Sequence, residues 1–443
     1  MFANGNAEFI TSLLNFLSIA EKLKGVERDN LLSNGKLESV ASHCWMMGLM
    51  AILLAPKLET SANLERVLKL IVIHDLPEAK TGDLSLAKVL RNPSVKVKKN
   101  EEEACVMREI KEILGDSGSE IIDLWQEYEN NRTIEAKFVK GLDKIEAQWQ
   151  AVAFNRIRHL ETIDSIYYTK ILEGWHHKYC EHEPILLQMI ETTRILAEEK
   201  MLAAGMYPDS YRNEQSPSVR FHPPEVIVSF LNFFSIAEKL KCAERDPLLS
   251  NGKLEPVASH CWMMGLMAMM IAPKLETKVN LERALQLVIV HDLAEAKTGD
   301  LPLFKALLQP SLVSQKTQAE DIAMKEMQSI LPDKEGRTLY ELWKEYEENK
   351  TPEAKFVKSL DKLEVTFQVN TYHDISYMGK LYDEIYYADI LQGKRNKYCV
   401  HEPILLEISN TLTKLTADSM RKVGLDPEKY RTPSVKKAAN ATA

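Results

Sequence analysis

At 443 residues and 45% hydrophobic content, the chain is long enough to bury substantial cores, and its length suggests two or three domains. Its formal charge of −8 comes from 56 basic and 64 acidic residues without a basic block, which argues against a nucleic-acid partner. Six cysteines stand far apart with no CxxC spacing, which points away from a disulfide framework or zinc ribbon and toward a reducing, cytoplasmic setting, with the nucleus also open to a eukaryotic protein.

In chain order, the opening "MFANGNAEFITSLL" lacks a basic region ahead of an apolar core, and no uninterrupted apolar stretch approaches 18 residues, so neither export nor a membrane partner is expected. "EKLKGVERD" (21–29) carries Lys24 and Arg28 at i, i+4, which on a helix would share a face. "ASHCWMMGLMAILLAPKL" (41–58), "LERVLKLIVIHDLPEAK" (64–80), "EEEACVMREIKEIL" (101–114), "EIIDLWQEYENN" (120–131) and "IEAKFVKGLDKIEAQWQ" (134–150) all space apolar residues by three and four, the helical period. No segment alternates as a strand does. An all-α domain of five to seven helices is predicted.

The whole pattern is then written again. "LLSNGKLESVASHCWMMGLMA" at 31 returns as "LLSNGKLEPVASHCWMMGLMA" at 248, an offset of 217, and Asp143 returns as Asp361, an offset of 218. A period this long means two complete domains rather than a solenoid. The Pro-rich, polar stretch after "GMYPDSYRNEQSPSV" places their boundary near residue 218, giving domains 1–218 and 219–443 with a flexible tail from about 432.

His43 sits within one apolar helix, His74 and Asp75 end another, and Asp143 falls within a third. Each alone is explained by an ordinary core or helix-end role. Together they are four donors on three helices, repeated as His260, His291, Asp292 and Asp361. Burying two imidazoles and two carboxylates is costly unless a cation neutralises them, which points to a divalent metal. Glu78 and Glu295 follow the His-Asp pair at a spacing that, on a continuing helix, faces the donors, where a proton-transferring group would stand. Gly82-Asp83 is either a helix stop or an acceptor for a substrate hydroxyl. The "HD" of His373-Asp374 has no counterpart in the first unit and is discounted, and His176, His177, His182 and His401 are not taken as ligands.

The order H, HD, D resembles that of the HD-domain phosphohydrolases. "LKGVER", "LESVASH", the HDLPEAKTGD string and above all "LYELWKEYEENKTPEAKFVKSLDKLE" (339–364) are similar to HD domain-containing protein 2 and the related bacterial 5'-deoxynucleotidases. The resemblance implies two tandem all-α HD-domain bundles, each with one divalent metal (Mn, Co, Fe, Ni, Zn or Mg). The metal ligands would be His43, His74, Asp75 and Asp143, and in the second unit His260, His291, Asp292 and Asp361. It places the catalytic Glu on Glu78 and Glu295, the sugar-side Asp on Asp83 and Asp300, and the phosphate-side Arg on Arg28 and Arg245. Where the bacterial members carry Trp directly after that Arg, this chain has Asp29 and Asp246. The implied activity is hydrolysis of deoxynucleoside 5'-monophosphates, with a small nucleotide as partner. A non-hydrolysing nucleotide sensor and a nucleoside triphosphatase are the alternatives. Because relatives are usually dimers of one unit, the two halves are expected to pack as an intramolecular pseudo-dimer.

Overall fold

The computed structural model describes residues 2–85, 88–89, 92–155, 163–211, 223–302, 305–306, 309–372 and 387–430. The boundary near 218, the tail from about 432 and the His373-Asp374 pair lie outside these residues. The first half runs α1 (Phe2–Ala20), a 3-10 turn (Glu21–Lys24), strands β1 (Glu27–Leu31) and β2 (Leu37–Ser39), then α2 (Val40–Leu54), α3 (Leu64–Ile73) and the one-turn α4 (Glu78–Thr81). It continues with α5 (Ser94–Leu114), α6 (Ser119–Asn130), α7 (Ile134–Phe154), α8 (Ile163–Leu172) and α9 (Pro184–Ala203). The second half repeats the plan through α10 (Glu225–Ala237), α11 (Lys239–Cys242), β3 (Glu244–Leu248), β4 (Leu254–Pro256), α12 (Val257–Ile271), α13 (Leu281–Val290) and α14 (Glu295–Thr298). It ends with α15 (Ser311–Ile330), α16 (Asp333–Glu348), α17 (Pro352–Tyr372), α18 (Asn396–Cys399) and α19 (Pro403–Lys422).

The fold is helical, as the periodicity predicts, with one departure in each half. "ERDNLLSNGKLES" forms an antiparallel hairpin that pairs Glu27 with Ser39 and Leu31 with Leu37. Asn34-Gly35 makes its turn, with Gly35 at φ 81° and Leu32 N–H donating to Lys36 O at 2.8 Å. Asn-Gly is a strong hairpin signal that helical spacing alone does not register. The hairpin also corrects the placement of Lys24 and Arg28. The 3-10 turn ends at Lys24 and Arg28 lies on a strand, so the two cations do not share a helix face.

Every residue of α2 and of α12 is buried. A helix apolar on all sides needs cover on all sides, and here the two halves cover each other. α2 packs against α12 and α3 against α13, and one continuous apolar cluster takes in residues of both halves. Trp45 Nε1 donates to Ile289 O at 2.9 Å, and Trp262 Nε1 to Val72 O at 3.0 Å. The burial also accounts for a stretch the sequence reading passed over. Val40–Lys57 is long and apolar enough by length and composition to cross a membrane, and 83% of it is buried inside the protein as a core helix.

Candidate metal centre

His43 lies in the first turn of α2, whose start is fixed by Ser39, its side chain accepting from Ser42 N. His74 caps the C-terminus of α3 and still donates its N–H to Leu70 O. From there the chain leaves the helix in tight turns, Leu76 N–H to Ile73 O and Glu78 N–H to Asp75 O, before α4 begins at Glu78. The helix therefore does not continue from the His-Asp pair to Glu78. The second half breaks identically with Ala294 in place of Pro77, so proline is not the cause. Gly82 closes α4 at φ 75°, the helix stop its position suggests. Asp143 stands mid-way along α7.

These elements bring the four donors together. His43 Nε2 lies 3.5 Å from Asp143 Oδ1, and His74 Nε2 lies 3.2 Å from Asp75 Oδ2. The donor atoms of His43, His74 and Asp143 lie within 4.8 Å of one another, as do those of Cys44, His74 and Asp75, and in the second half those of His260, His291 and Asp292. His260 Nε2 is 3.6 Å from Asp361 Oδ1. Each imidazole is held from behind. His74 Nδ1 donates to Ile71 O at 2.8 Å and His291 Nδ1 to Val288 O at 2.8 Å. Glu146 pairs with His43 Nδ1, and Glu364 with His260 Nδ1 at 2.5 Å. The opposite nitrogens, Nε2 of His43, His74, His260 and His291, are buried without a hydrogen-bond partner. Bare Nε2 atoms beside carboxylates, with Nδ1 anchored to oxygen, fit a divalent metal of mixed nitrogen and oxygen ligation. A neighbouring acidic group, Glu38, His43 and Glu146, also clusters, but Lys241 and Arg28 already neutralise its carboxylates.

The charges are set for this arrangement. Burial and the Arg28 guanidinium push His43 down, yet the carboxylates of Glu146 and Asp143 outweigh both and hold it at about 9; His260 is likewise held at about 9. Burial opposes ionisation of Asp75, but His74 beside it keeps the carboxyl well below the usual range. Glu78 goes the other way: burial, Asp75 and Asp83 raise it well above an ordinary carboxylate despite Lys99.

The donors open onto a cavity of about 370 Å³ in the first half, lined among others by Arg28, Asp75, Glu78, Asp83 and Asp143. Its counterpart of about 520 Å³ is lined by Arg245, Asp292, Glu295, Asp300 and Asp361. The proposed ligands, Glu78 and Glu295, Asp83 and Asp300, and Arg28 and Arg245 thus gather at two equivalent places, whereas Lys24 and Asp246 line neither cavity. Arg28 Nη1 is 3.8 Å from Asp75 Oδ2, and Arg245 Nη2 is 3.9 Å from Asp361 Oδ1. Asp29 lines the first cavity, and so does His176, which pairs with Gln148 Oε1 at 3.1 Å; His182 and His401 line neither cavity.

The sequence reading missed several partners. Lys99 pairs with Glu78 Oε1 and donates to Gly82 O at 2.8 Å, as Lys316 pairs with Glu295. Tyr128 and Lys144 donate to Asp143 Oδ2 at 3.0 and 2.7 Å, as Tyr346 and Lys362 do to Asp361. The repeat held the signal. Between "NPSVKVKKNEEEA" and "QPSLVSQKTQAED" the Lys99/Lys316 position stays fixed while its neighbours change.

A helical bundle that presents two imidazoles and two carboxylates from three elements at a cavity is the arrangement of an HD-domain protein. The model of the HD domain family matches residues 20–174 and 237–393, and the chain belongs to that family. It is 34% identical over 171 residues to the human 5'-deoxynucleotidase HDDC2, covering 38% of this chain and 79% of that protein. To the 5'-deoxynucleotidase hdd1 of Schizosaccharomyces pombe it is 32% identical, covering 33% and 73%. A crystal structure described as a predicted metal-dependent phosphohydrolase from Magnetospirillum magnetotacticum aligns with a TM-score of 0.36 at 21% identity, covering 46% of this chain and 100% of that one.

Proposed function

We propose that each half, residues 1–218 and 219–443, holds one divalent metal and hydrolyses nucleoside 5'-monophosphates, deoxynucleotides above all, to nucleoside and phosphate. The chain is an HD-domain hydrolase; the substrate and the single metal per half are the proposed part. The observation that carries the reading is the set of four buried, unpartnered imidazole nitrogens, two in each half, beside carboxylates. The 5'-deoxynucleotidase relatives support it.

Metal ligands in this reading are His43, His74, Asp75 and Asp143, with His260, His291, Asp292 and Asp361. A divalent metal there supplies Lewis acidity toward a phosphate oxygen and makes water more acidic at neutral pH. Arg28 and Arg245, at the cavity wall, offset charge on the phosphoryl oxygens as it develops. Glu78 manages the proton. Lys99 fixes its Oε1, Oε2 is left without a partner, and burial with Asp75 and Asp83 raises its pKa, the direction that suits a proton-exchanging group. Glu295 and Lys316 repeat the arrangement. Asp83 and Asp300 accept from a sugar hydroxyl. The shared core and the reciprocal tryptophan bonds support a further proposal, that the halves form an intramolecular pseudo-dimer.

The test is phosphate release by metal-stripped protein from a panel of deoxy- and ribonucleoside mono-, di- and triphosphates, with Mn²⁺, Co²⁺ or Mg²⁺ restored. Release from monophosphates, fastest with the deoxy series, is expected. Binding without release from any member would favour a sensor, and release confined to triphosphates would reassign the substrate.

A further inference from the structure

Lys24 and Lys241 were set beside Arg28 and Arg245 in the sequence, yet neither serves its own half. Lys241 is 1% exposed, and its Nζ meets Glu38 Oε1, Glu146 Oε1 at 2.6 Å and Gln150 Oε1 at 3.1 Å, all in the first half. Lys24, also 1% exposed, meets Glu255 Oε1 at 2.5 Å, Glu364 Oε1 at 2.5 Å and Gln368 Oε1 at 3.0 Å, all in the second.

Each lysine stands at the root of a fork. From Lys241 one arm runs through Glu146 to His43 Nδ1, and the other through Glu38 to Arg28 Nε at 3.4 Å. From Lys24 the arms run through Glu364 to His260 Nδ1 and through Glu255 to Arg245 Nη1 at 3.5 Å. The four glutamates are 0% exposed. Two carboxylates buried side by side need a cation between them, and removing the cation leaves like charges at low dielectric. The residue that fixes the metal-facing imidazole and the residue that fixes the phosphate-facing guanidinium therefore depend on the same ammonium.

We propose that the two sites are reciprocally completed: Lys241 of the second half is the positioning residue for the His43 site, and Lys24 of the first half for the His260 site. The proposal rests on the reading that these donors hold a metal. It makes the pairing of the halves a condition for either site and not merely a way of burying apolar surface.

The test reads one site at a time in the full-length chain. In an Asp292→Ala background only the first site remains to bind metal, and in an Asp75→Ala background only the second. Stripped proteins are titrated calorimetrically with Mn²⁺, and the visible absorption of Co²⁺ reports ligand geometry at the remaining site. Loss of an outer partner of a metal ligand costs about 10–100-fold in affinity. In the Asp292→Ala background, Lys241→Met, acting on His43 through Glu146, is expected to weaken Mn²⁺ binding by up to that factor and shift the Co²⁺ spectrum, well beyond the effect of Lys24→Met. In the Asp75→Ala background the ranking reverses. Should Lys→Met variants fail to fold by their helical signal, Lys→Gln, which keeps a donor without the charge, takes their place. Equal effects in both backgrounds, or a larger effect from the lysine of the same half, overturn the proposal. A crossed pattern in a chain that releases no phosphate keeps it and overturns the proposed reaction, while absence of Mn²⁺ binding by the unsubstituted chain overturns both.

Discussion

Metal binding should tighten steeply with pH while the metal-free protein loses stability over the same range. In the absence of metal, Glu146 and Asp143 hold a proton on His43 up to about 9, and the second half does the same at His260. A metal needs the neutral imidazole, so each ion bound below that pH must expel a proton. Between pH 7 and 9 the apparent affinity of each site is then expected to rise about tenfold per pH unit, close to 3 kcal/mol over the interval. Stability carries the opposite sign. A histidine raised from 6.5 to about 9 on folding contributes fully below its unfolded value, and the contribution disappears as pH rises through the folded one, about 3 kcal/mol per half. Glu78, also raised on folding by burial, Asp75 and Asp83, carries the same sign. Calorimetric Mn²⁺ titrations in buffers of different ionisation heat count the protons released, with about one per ion expected. Thermal melts of stripped protein should fall from pH 6.5 to 9, and melts with saturating Mn²⁺ should fall less. Affinity flat from pH 7 to 8.5 with no proton release would refute the reasoning, since His43 and His260 would then not be the ligands that carry the proton.

Four further outcomes are expected. Asp75→Ala with Asp292→Ala should abolish Mn²⁺ binding and phosphate release while helical content persists. Asp75→Ala alone should leave about one ion per chain and roughly half the activity if the copies are equally efficient, and loss of everything would mean coupled sites. Glu78→Ala with Glu295→Ala should keep the metal and lose about 10²–10⁴-fold in turnover, measured under metal saturation; unchanged turnover would demote both to helix-end residues. Trp45→Phe leaves the buried carbonyl of Ile289 without its donor and should cost about 1–3 kcal/mol in chemical unfolding. A smaller loss would mean that the bond across the halves contributes little.

The donor set was legible because its chemistry is local. Two imidazoles and two carboxylates on apolar helices are expensive wherever they are buried, and the repeat shows that all four recur together. The helices were legible for the same kind of reason, from periodicity. The hairpin was not, because "ERDNLLSNGKLES" does not alternate and its only marker is Asn34-Gly35. Lys99 could have been found from the repeat, but its contact with Glu78 depends on α5 packing beside α4, which spacing does not reveal. The forks at Lys24 and Lys241 were further out of reach. Spacing places each lysine four residues before an arginine of its own half, and only the docking of the halves sends it across.

Within one chain the two copies separate what the chemistry fixes from what it leaves free. Donors, imidazole-holding glutamates, crossing lysines, the Glu78-Lys99 pair and the arginine are the same residue types in both halves. The glutamates, lysines and arginines each have a partner whose charge would be stranded by their loss. The cavity walls differ. Trp175 and His176 line the first cavity where Lys394 and Arg395 line the second, and Asn30 gives way to Pro247. Trp175 stacks on His176 with ring centroids 5.6 Å apart, whereas Arg395 is bound to Asp389 at 2.9 Å. An aromatic wall in one half, and Lys394 beside the Asp389-paired Arg395 in the other, stand over equivalent donors and differ in what can lie against them. The duplication thus keeps two copies of one donor arrangement, tied together through buried charge, beneath rims that differ.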